Sequence, residues 1–348
     1  MKKRGEMDDK NMKTYFENDF GKLYNGNSID ILKNIESESV NCCVTSPPYF
    51  RLRNYNVENQ IGLEQTPDEY VQKMVEVFRE IKRVLKKDGT LWLNLGDSYN
   101  GSGKNFGHKN GISKICMQAS NKGSIGLLPT KVNGLKPKDL IGIPWRVAFA
   151  LQNDGWYLRS DIIWHKTNAF PESVLDRPSR SHEYIFLLSK SRKYYYDCES
   201  IKEPSKFVER KSDINKSKDN RKFFDKTMGG GGTSFKGHSG YYKEDGTPIG
   251  TPGKRNKRSV WIISTKPFSG AHFATFPPDL IKPCILAGCP ENGIVLDPFF
   301  GSGTTGYVSQ MLNRRWIGID LNKDYCDIAS DRLQICSFKE LEEELKND

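Results

Sequence analysis

Two short stretches of the 348-residue chain combine side chains and backbone restraints suited to chemistry. The first is Thr45-Ser46-Pro47-Pro48-Tyr49, directly after the apolar run 40–44. Two consecutive prolines end strand pairing and freeze the backbone. Ser46 brings a hydroxyl. Pro47 has no N–H but keeps its carbonyl, an acceptor that the ring of Pro48 holds in place. Tyr49 offers a face on which a planar ring can stack. Two acceptors side by side match the two N–H bonds of an exocyclic amine, a poor nucleophile because its lone pair is delocalised into the ring. Hydrogen bonds that draw both protons out of the ring plane favour a pyramidal nitrogen whose lone pair can be aimed. Taken alone, the same residues also read as a structural turn.

The second stretch, Asp297-Pro298-Phe299-Phe300-Gly301-Ser302-Gly303-Thr304-Thr305-Gly306, contains G-x-G-x-x-G between an apolar run of strand length and a helical pattern. Asp320 follows at the end of the next short apolar run. Glycines there permit a tight turn and close approach of a ligand to the backbone, and an acid at the second strand end accepts from ribose hydroxyls. No lysine follows the glycines, which excludes a P-loop. Few residues lie beyond Asp320, so the sheet must be completed by N-terminal strands. Both stretches then meet at the carboxyl edge of one sheet, where ligands bind in doubly wound folds.

The elements that must position them alternate. Residues 23–32 read as strand, turn and helix entry, and 40–46 as a strand buried on both faces. Residues 67–87 show helical apolar spacing, with Asp88-Gly89 as the stop. A strand is expected over 90–97, a long loop over 98–136, a helix over 138–155, and strands over 156–166 and 183–191. Residues 277–289 are expected as a helix, 294–306 as a strand and glycine turn, 316–320 as a strand and 322–333 as a helix. This order predicts an α/β, doubly wound, mostly parallel sheet. The expected division is an N-terminal tail over 1–22, a catalytic part over 23–190, a basic insert over 191–261 and a nucleotide-binding part over 262–348.

Composition narrows the partners. The chain carries a formal charge of +10, with 36% hydrophobic and 28% charged residues, as a globular protein does. No apolar run is long enough to span a bilayer, and no apolar stretch follows the basic N-terminus, so a cytoplasmic protein without membrane contact is expected. The eight cysteines include no C-x-x-C pair and read as reduced core thiols; no metal is expected. Residues 190–258 hold 18 Lys and Arg against 9 Asp and Glu, nearly the whole excess charge. An anionic partner, nucleic acid first, follows from that run. Lys190, Arg192, Lys193 and the run Lys254, Arg255, Lys257 and Arg258 are the expected phosphate contacts, with Arg177 and Arg180 nearer the site.

TSPPY at 45–49 and DPFFGSGTT at 297–305 resemble the motifs of S-adenosylmethionine-dependent DNA amino-methyltransferases. Their order resembles that of the circularly permuted β group, and S-P-P-Y is typical of its cytosine-N4 members, where adenine-N6 members carry D-P-P-Y. Supporting stretches are 25–32, 177–190 and 272–299. The resemblance implies a Rossmann-like methyltransferase fold with a target-recognition insert and S-adenosylmethionine as cofactor. It places the target base at Ser46, Pro47, Pro48 and Tyr49, with Tyr49 stacking on it. Asp297, Phe299, Gly301, Gly303 and Thr304 then line the methionine side of the cofactor, Asp320 takes its ribose hydroxyls, and Asp30, the loosest match, faces its adenine. The implied reaction is methyl transfer to cytosine N4 in double-stranded DNA by base flipping, in a restriction–modification system with a cognate endonuclease. An adenine-N6 enzyme, a non-catalytic DNA-binding module and a dinucleotide oxidoreductase stay open as alternatives, and monomer or homodimer is undecided. His165, His182, Trp145 and Trp164 read as structural, and Pro283-Cys284 as core.

Overall fold

The computed structural model describes residues 13–55, 57–101, 125–126, 134–169, 171–205, 254–265 and 276–335. Most of the glycine-rich stretch 98–136 and of the basic insert lies outside them. The chain forms two units, Met1–Asp197 with Ser259–Asp348, and Cys198–Arg258.

In the larger unit, strands β1 (Phe16–Asn18), β2 (Gly21–Asn25), β3 (Val40–Thr45), β5 (Leu85–Leu95), β7 (Tyr157–His165), β8 (His182–Ser189), β11 (Val260–Ile262), β12 (Ile294–Asp297) and β13 (Arg315–Asp320) make one nine-stranded sheet. Its order is β1-β2-β13-β12-β3-β5-β8-β7-β11. The pairs from β2 through β13, β12 and β3 to β5 are parallel, as is β7 with β11; β8 runs antiparallel to both of its neighbours, and β1 is antiparallel to β2. Two-residue ladders pair β4 (Arg53–Asn54) with β6 (Ile125–Gly126) and, in the smaller unit, β9 (Glu203–Pro204) with β10 (Lys254–Arg255).

Helices α1 (Ser28–Leu32), α2 (Pro67–Val84) and α3 (Ile143–Asn153) share one apolar core with the sheet. Helices α4 (Pro278–Gly288), α5 (Thr304–Met311) and α6 (Lys323–Ile335) complete the fold. The expected doubly wound, mostly parallel α/β sheet is what forms. Adjacent Cys42 and Cys43 are both fully buried and split as strand alternation requires: Cys43 joins the α1–α3 core, while Cys42 lies against Gly288 of α4. Pro283 lies inside α4 and Cys284 is buried there, as expected of core.

α2 shows why this sequence folds as it does. Thr66 and Glu69 form a capping box, Pro67 occupies the first turn, and Tyr70, Met74, Val77, Phe78, Ile81 and Val84 make one buried face. The helix ends at Val84 rather than at Asp88-Gly89, because Leu85 turns extended and already pairs with Val40. α3 starts at Ile143, later than its apolar pattern, because Gly142 sits in the left-handed region ahead of it.

Two boundaries differ from expectation. Residues 16–18 and 21–22 are strand, not tail: β1 and β2 form a hairpin whose turn is closed by Asn18, which accepts from the N–H groups of Phe20 and Gly21. Gly21 allows β2 to lie flat on Trp316, since a Cβ there would stand 2.4 Å from the indole. At the insert, residues 191–197 and 259–261 belong to the larger unit: Asp197 N–H donates to Ala287 O, and Val260 pairs with Ile163. Among the described residues no helix is long and apolar enough to cross a membrane.

Candidate active site

β3, β12 and β13 end side by side, and the residues that follow them line an open pocket of about 930 Å³ counted out to its mouth. Ser46 and Pro48 line it from β3; Phe299, Gly301, Ser302 and Thr304 from the glycine turn; Asp320 and Asn322 from β13; and Asn27, Ser28 and Ile29 from α1. Tyr55, Phe276 and Tyr325 add aromatic walls. The two stretches expected to meet do meet.

Asp297 ties them together without facing the pocket. It is 1% exposed and accepts from Thr45 Oγ at 2.7 Å, Thr305 Oγ at 2.6 Å and Phe299 N–H at 3.1 Å. The last residue of β3 is thus held to the last residue of β12. Burial pushes the Asp297 carboxyl up to about 6, against the hydroxyl and N–H donors that favour its charge. Assigned to the cofactor lining from sequence, Asp297 is instead the buried clasp behind it.

The glycine turn depends on positive φ. Gly301 (φ 53°) and Gly303 (φ 77°) occupy the left-handed region that side chains disfavour. Gly303 precedes the first residue of α5 and does not line the pocket; Thr304, the first residue, does. Gly306 and Gly318 leave room for the Phe300 ring, which stacks on Trp316 with ring centroids 5.2 Å apart. Asp320 accepts from Gly301 N–H at 2.7 Å and Asn322 N–H at 2.8 Å, one bond to each oxygen. Burial raises its carboxyl to about 6.

Asp30, expected to face the cofactor's adenine, does not line the pocket. Asn27 caps α1 by accepting from Ile29 and Asp30 N–H, which puts Asp30 in the first turn facing outward, 3.9 Å from Lys33 with its side chain 76% exposed. Asn27, with Ser28 and Ile29, lines the pocket from this helix. Ser28 Oγ also donates to Pro298 O at 2.6 Å, fastening α1 to the glycine turn.

Around Ser-Pro-Pro-Tyr the contacts are lateral. Pro47 is buried, and the Pro48 carbonyl is taken by Tyr70 O–H at 2.8 Å. Tyr49 does not line the pocket. Its ring lies against Gly96, where a Cβ would come within 2.5 Å of it. Its hydroxyl donates to Glu183 Oε2 at 2.7 Å, with Asn94 Oδ1 at 3.2 Å, and accepts from Ser46 Oγ at 3.4 Å. Burial, then the Glu183 charge, pushes the phenol well up. Glu183 is paired with Lys166. Sequence reasoning missed Asn94, Gly96, Tyr70 and Glu183; for Asn94 the available signal was a polar residue inside the otherwise apolar TLWLNL.

The arginines nearer the site are occupied. Arg177 donates to Glu172 at 2.6 Å and lies 3.8 Å above the Tyr99 ring. Arg180 holds the carbonyl of Asp97, whose carboxylate caps α3 through Gly142 and Ile143 N–H. In the smaller unit Arg255 and Arg258 share Glu203 at 2.9 and 2.8 Å, and Lys254 is exposed. His165 and His182 stand opposite each other on β7 and β8, and Trp164 is buried.

The DNA methylase family model of N6/N4 methyltransferases matches residues 40–331. The chain belongs to this family. The methylase is 47% identical over 312 residues to the Type II methyltransferase M.Cfr9I of Citrobacter freundii, covering 90% of this chain and 87% of that one. It is 47% identical over 313 residues to the Type II methyltransferase M.SmaI of Serratia marcescens, covering 90% of each. Among solved structures, the PvuII DNA methyltransferase (cytosine-N4-specific) shares the fold with a TM-score of 0.59 at 18% identity, over 95% of this chain and 93% of that one. S-adenosylmethionine is the family's cofactor, and the pocket's donor set fits it. Asp320 keeps lone pairs beyond its two backbone bonds for a diol, Tyr55, Phe276 and Tyr325 offer faces for a purine, and the glycine turn leaves room for an amino-acid end.

Proposed function

We propose that this methylase transfers a methyl group to the exocyclic N4 of cytosine at a specific site in double-stranded DNA, as the modification half of a Type II restriction–modification system. The observation that carries this reading is Ser46: it lines the same pocket as the glycine turn and Asp320, and it is a serine where the adenine-N6 enzymes of the resembling group carry an aspartate. The Type II methyltransferases it is similar to, and the cytosine-N4-specific PvuII enzyme that shares its fold, support it.

S-adenosylmethionine supplies an electrophilic methyl group on a sulfonium. Asp320 accepts from ribose hydroxyls and the turn 301–304 encloses the amino-acid end. The target base leaves the helix at a cost of a few kcal/mol in stacking and pairing. Ser46 Oγ and the Pro47 carbonyl accept hydrogen bonds from the two amine N–H bonds and aim the nitrogen lone pair at the methyl carbon. As the N–C bond forms the C–S bond breaks, the neutral thioether departs, and the methylated nitrogen gives up one proton to solvent. No covalent nucleophile is needed; alignment supplies the rate. The basic run 254–258 contributes phosphate contacts, so DNA affinity falls steeply with salt.

Digestion to nucleosides after incubation with labelled S-adenosylmethionine and DNA decides the target. N4-methylcytosine is expected, and N6-methyladenine as the product overturns the reading.

A further inference from the structure

A serine hydroxyl can donate or accept, and its proton is free to rotate. For an exocyclic amine, which presents only N–H bonds, Ser46 must accept. Nothing in the tetrapeptide itself enforces that choice, but the hydrogen bonds behind it do.

Glu183 begins the sequence. Its Oε1 is taken by the Lys166 ammonium, and the pair is largely buried, with side-chain exposures of 15% and 21%. Lys166 also sits 4.3 Å from the centre of the Trp164 ring, which holds it on that face. Asn94 Nδ2 donates to Glu183 Oε2 at 3.3 Å and to Tyr184 O at 3.1 Å, so both of its protons are spent and its oxygen faces Tyr49. A carboxylate accepts only. Tyr49 must therefore send its single proton away from Ser46, toward Glu183 at 2.7 Å. The phenol oxygen is then left with lone pairs, and Ser46 Oγ at 3.4 Å donates to it. With its proton turned inward, Ser46 shows only lone pairs to the pocket it lines.

We propose that Glu183 is a positioning residue that fixes the proton direction along Glu183–Tyr49–Ser46 and thereby makes Ser46 an obligate acceptor for a base amine. It acts through Tyr49 and touches neither substrate nor cofactor. A base with a carbonyl at that position meets lone pairs facing lone pairs. This deepens the proposed function and rests on Ser46 facing the target base, but it holds for any exocyclic amine.

The test uses full-length enzyme with Glu183→Gln, Tyr49→Phe and the double variant. In Glu183→Gln the amide oxygen pairs with Lys166 and an N–H turns toward Tyr49, which leaves the phenol proton only the longer Asn94 Oδ1 contact at 3.2 Å and opens Ser46 as its competing acceptor. In Tyr49→Phe the relay is cut. Each single variant is expected to lose about tenfold or more in kcat, as for one misdirected hydrogen bond. S-adenosylmethionine affinity, measured without DNA, should stay within about twofold, about 0.4 kcal/mol. The double variant should be no slower than the slower single variant. A Glu183→Gln enzyme with unchanged kcat overturns the proposal. So do losses that multiply in the double variant, or cofactor affinity that falls in step with kcat, because Glu183 then acts through the fold. Product analysis of the wild type separates the two claims: N6-methyladenine sinks the cytosine assignment and leaves the relay standing.

Discussion

On the cofactor wall of the pocket the shape is set largely by backbone. Gly301 and Asn322 N–H converge on Asp320, and positive φ at Gly301 and Gly303 shapes the turn. On the proposed target wall the working groups are side chains on or just beyond β3, β5, β7 and β8: Ser46 lines the pocket, with Tyr49, Asn94, Lys166 and Glu183 behind it. A backbone wall is set by a few consecutive residues. A side-chain wall exists only when the strands stand in the right order. Damage to the first should appear in cofactor binding and damage to the second in turnover, and four perturbations can break or sharpen that division.

The largest effect is expected from Ser46→Ala: roughly a 100-fold loss of kcat, with cofactor affinity unchanged by calorimetry. Weakened cofactor binding in that variant would breach the division. Next, Asp320→Asn removes a charged acceptor and should weaken S-adenosylmethionine binding by about 10-fold to 100-fold, while kcat at saturation holds. Protonation should do the same to the wild type. Its carboxyl titrates near 6, so cofactor affinity declines as pH falls through about 6, and the decline is absent in Asp320→Asn. Stability runs the other way. Asp297 and Asp320 hold their protons more tightly folded than unfolded, so their contribution is full below about 3.8 and is lost as pH rises through about 6. Melting curves of cofactor-free protein should show Asp320→Asn losing less stability than wild type over that window.

Gly96→Ala comes third. A Cβ 2.5 Å from Tyr49 Cε2 must displace the ring, and a several-fold fall in kcat with about 1–3 kcal/mol of destabilisation is expected from steady-state kinetics and denaturant melts. Smallest is Thr45→Val. It keeps the volume but takes one donor from Asp297, and should cost about 1 kcal/mol in a urea melt. Because Asp297 clasps both walls, this variant alone should move kcat and cofactor affinity together.

The same contrast explains what could be read in the sequence. The glycine turn, Asp320 and Ser-Pro-Pro-Tyr are legible because each is a local restraint written in neighbouring residues. The sheet class follows from alternating apolar periods. Glu183 and Asn94 are not legible as partners of Tyr49, since only the β5–β8 pairing brings them there. The outward direction of Asp30 is not legible either, since it follows from Asn27 capping the helix. Asp297 was read as lining because sequence shows an acid at a strand end but not the two threonines that enclose it. The β1–β2 hairpin was missed because three- and five-residue strands carry too little alternation to register.

The strand order also bears on how the molecule is made. β12 and β13 insert between β2 and β3, so a polypeptide leaving the ribosome presents two early strands whose shared neighbours have yet to be synthesised. Thr45 waits 252 positions for Asp297. Such distant pairing slows folding and leaves unpaired edges open to aggregation in the meantime. A nascent chain stalled before residue 294 therefore has two strands on one side of an open slot and five on the other, and no pocket at all, and no methyl transfer can begin until the slot is filled.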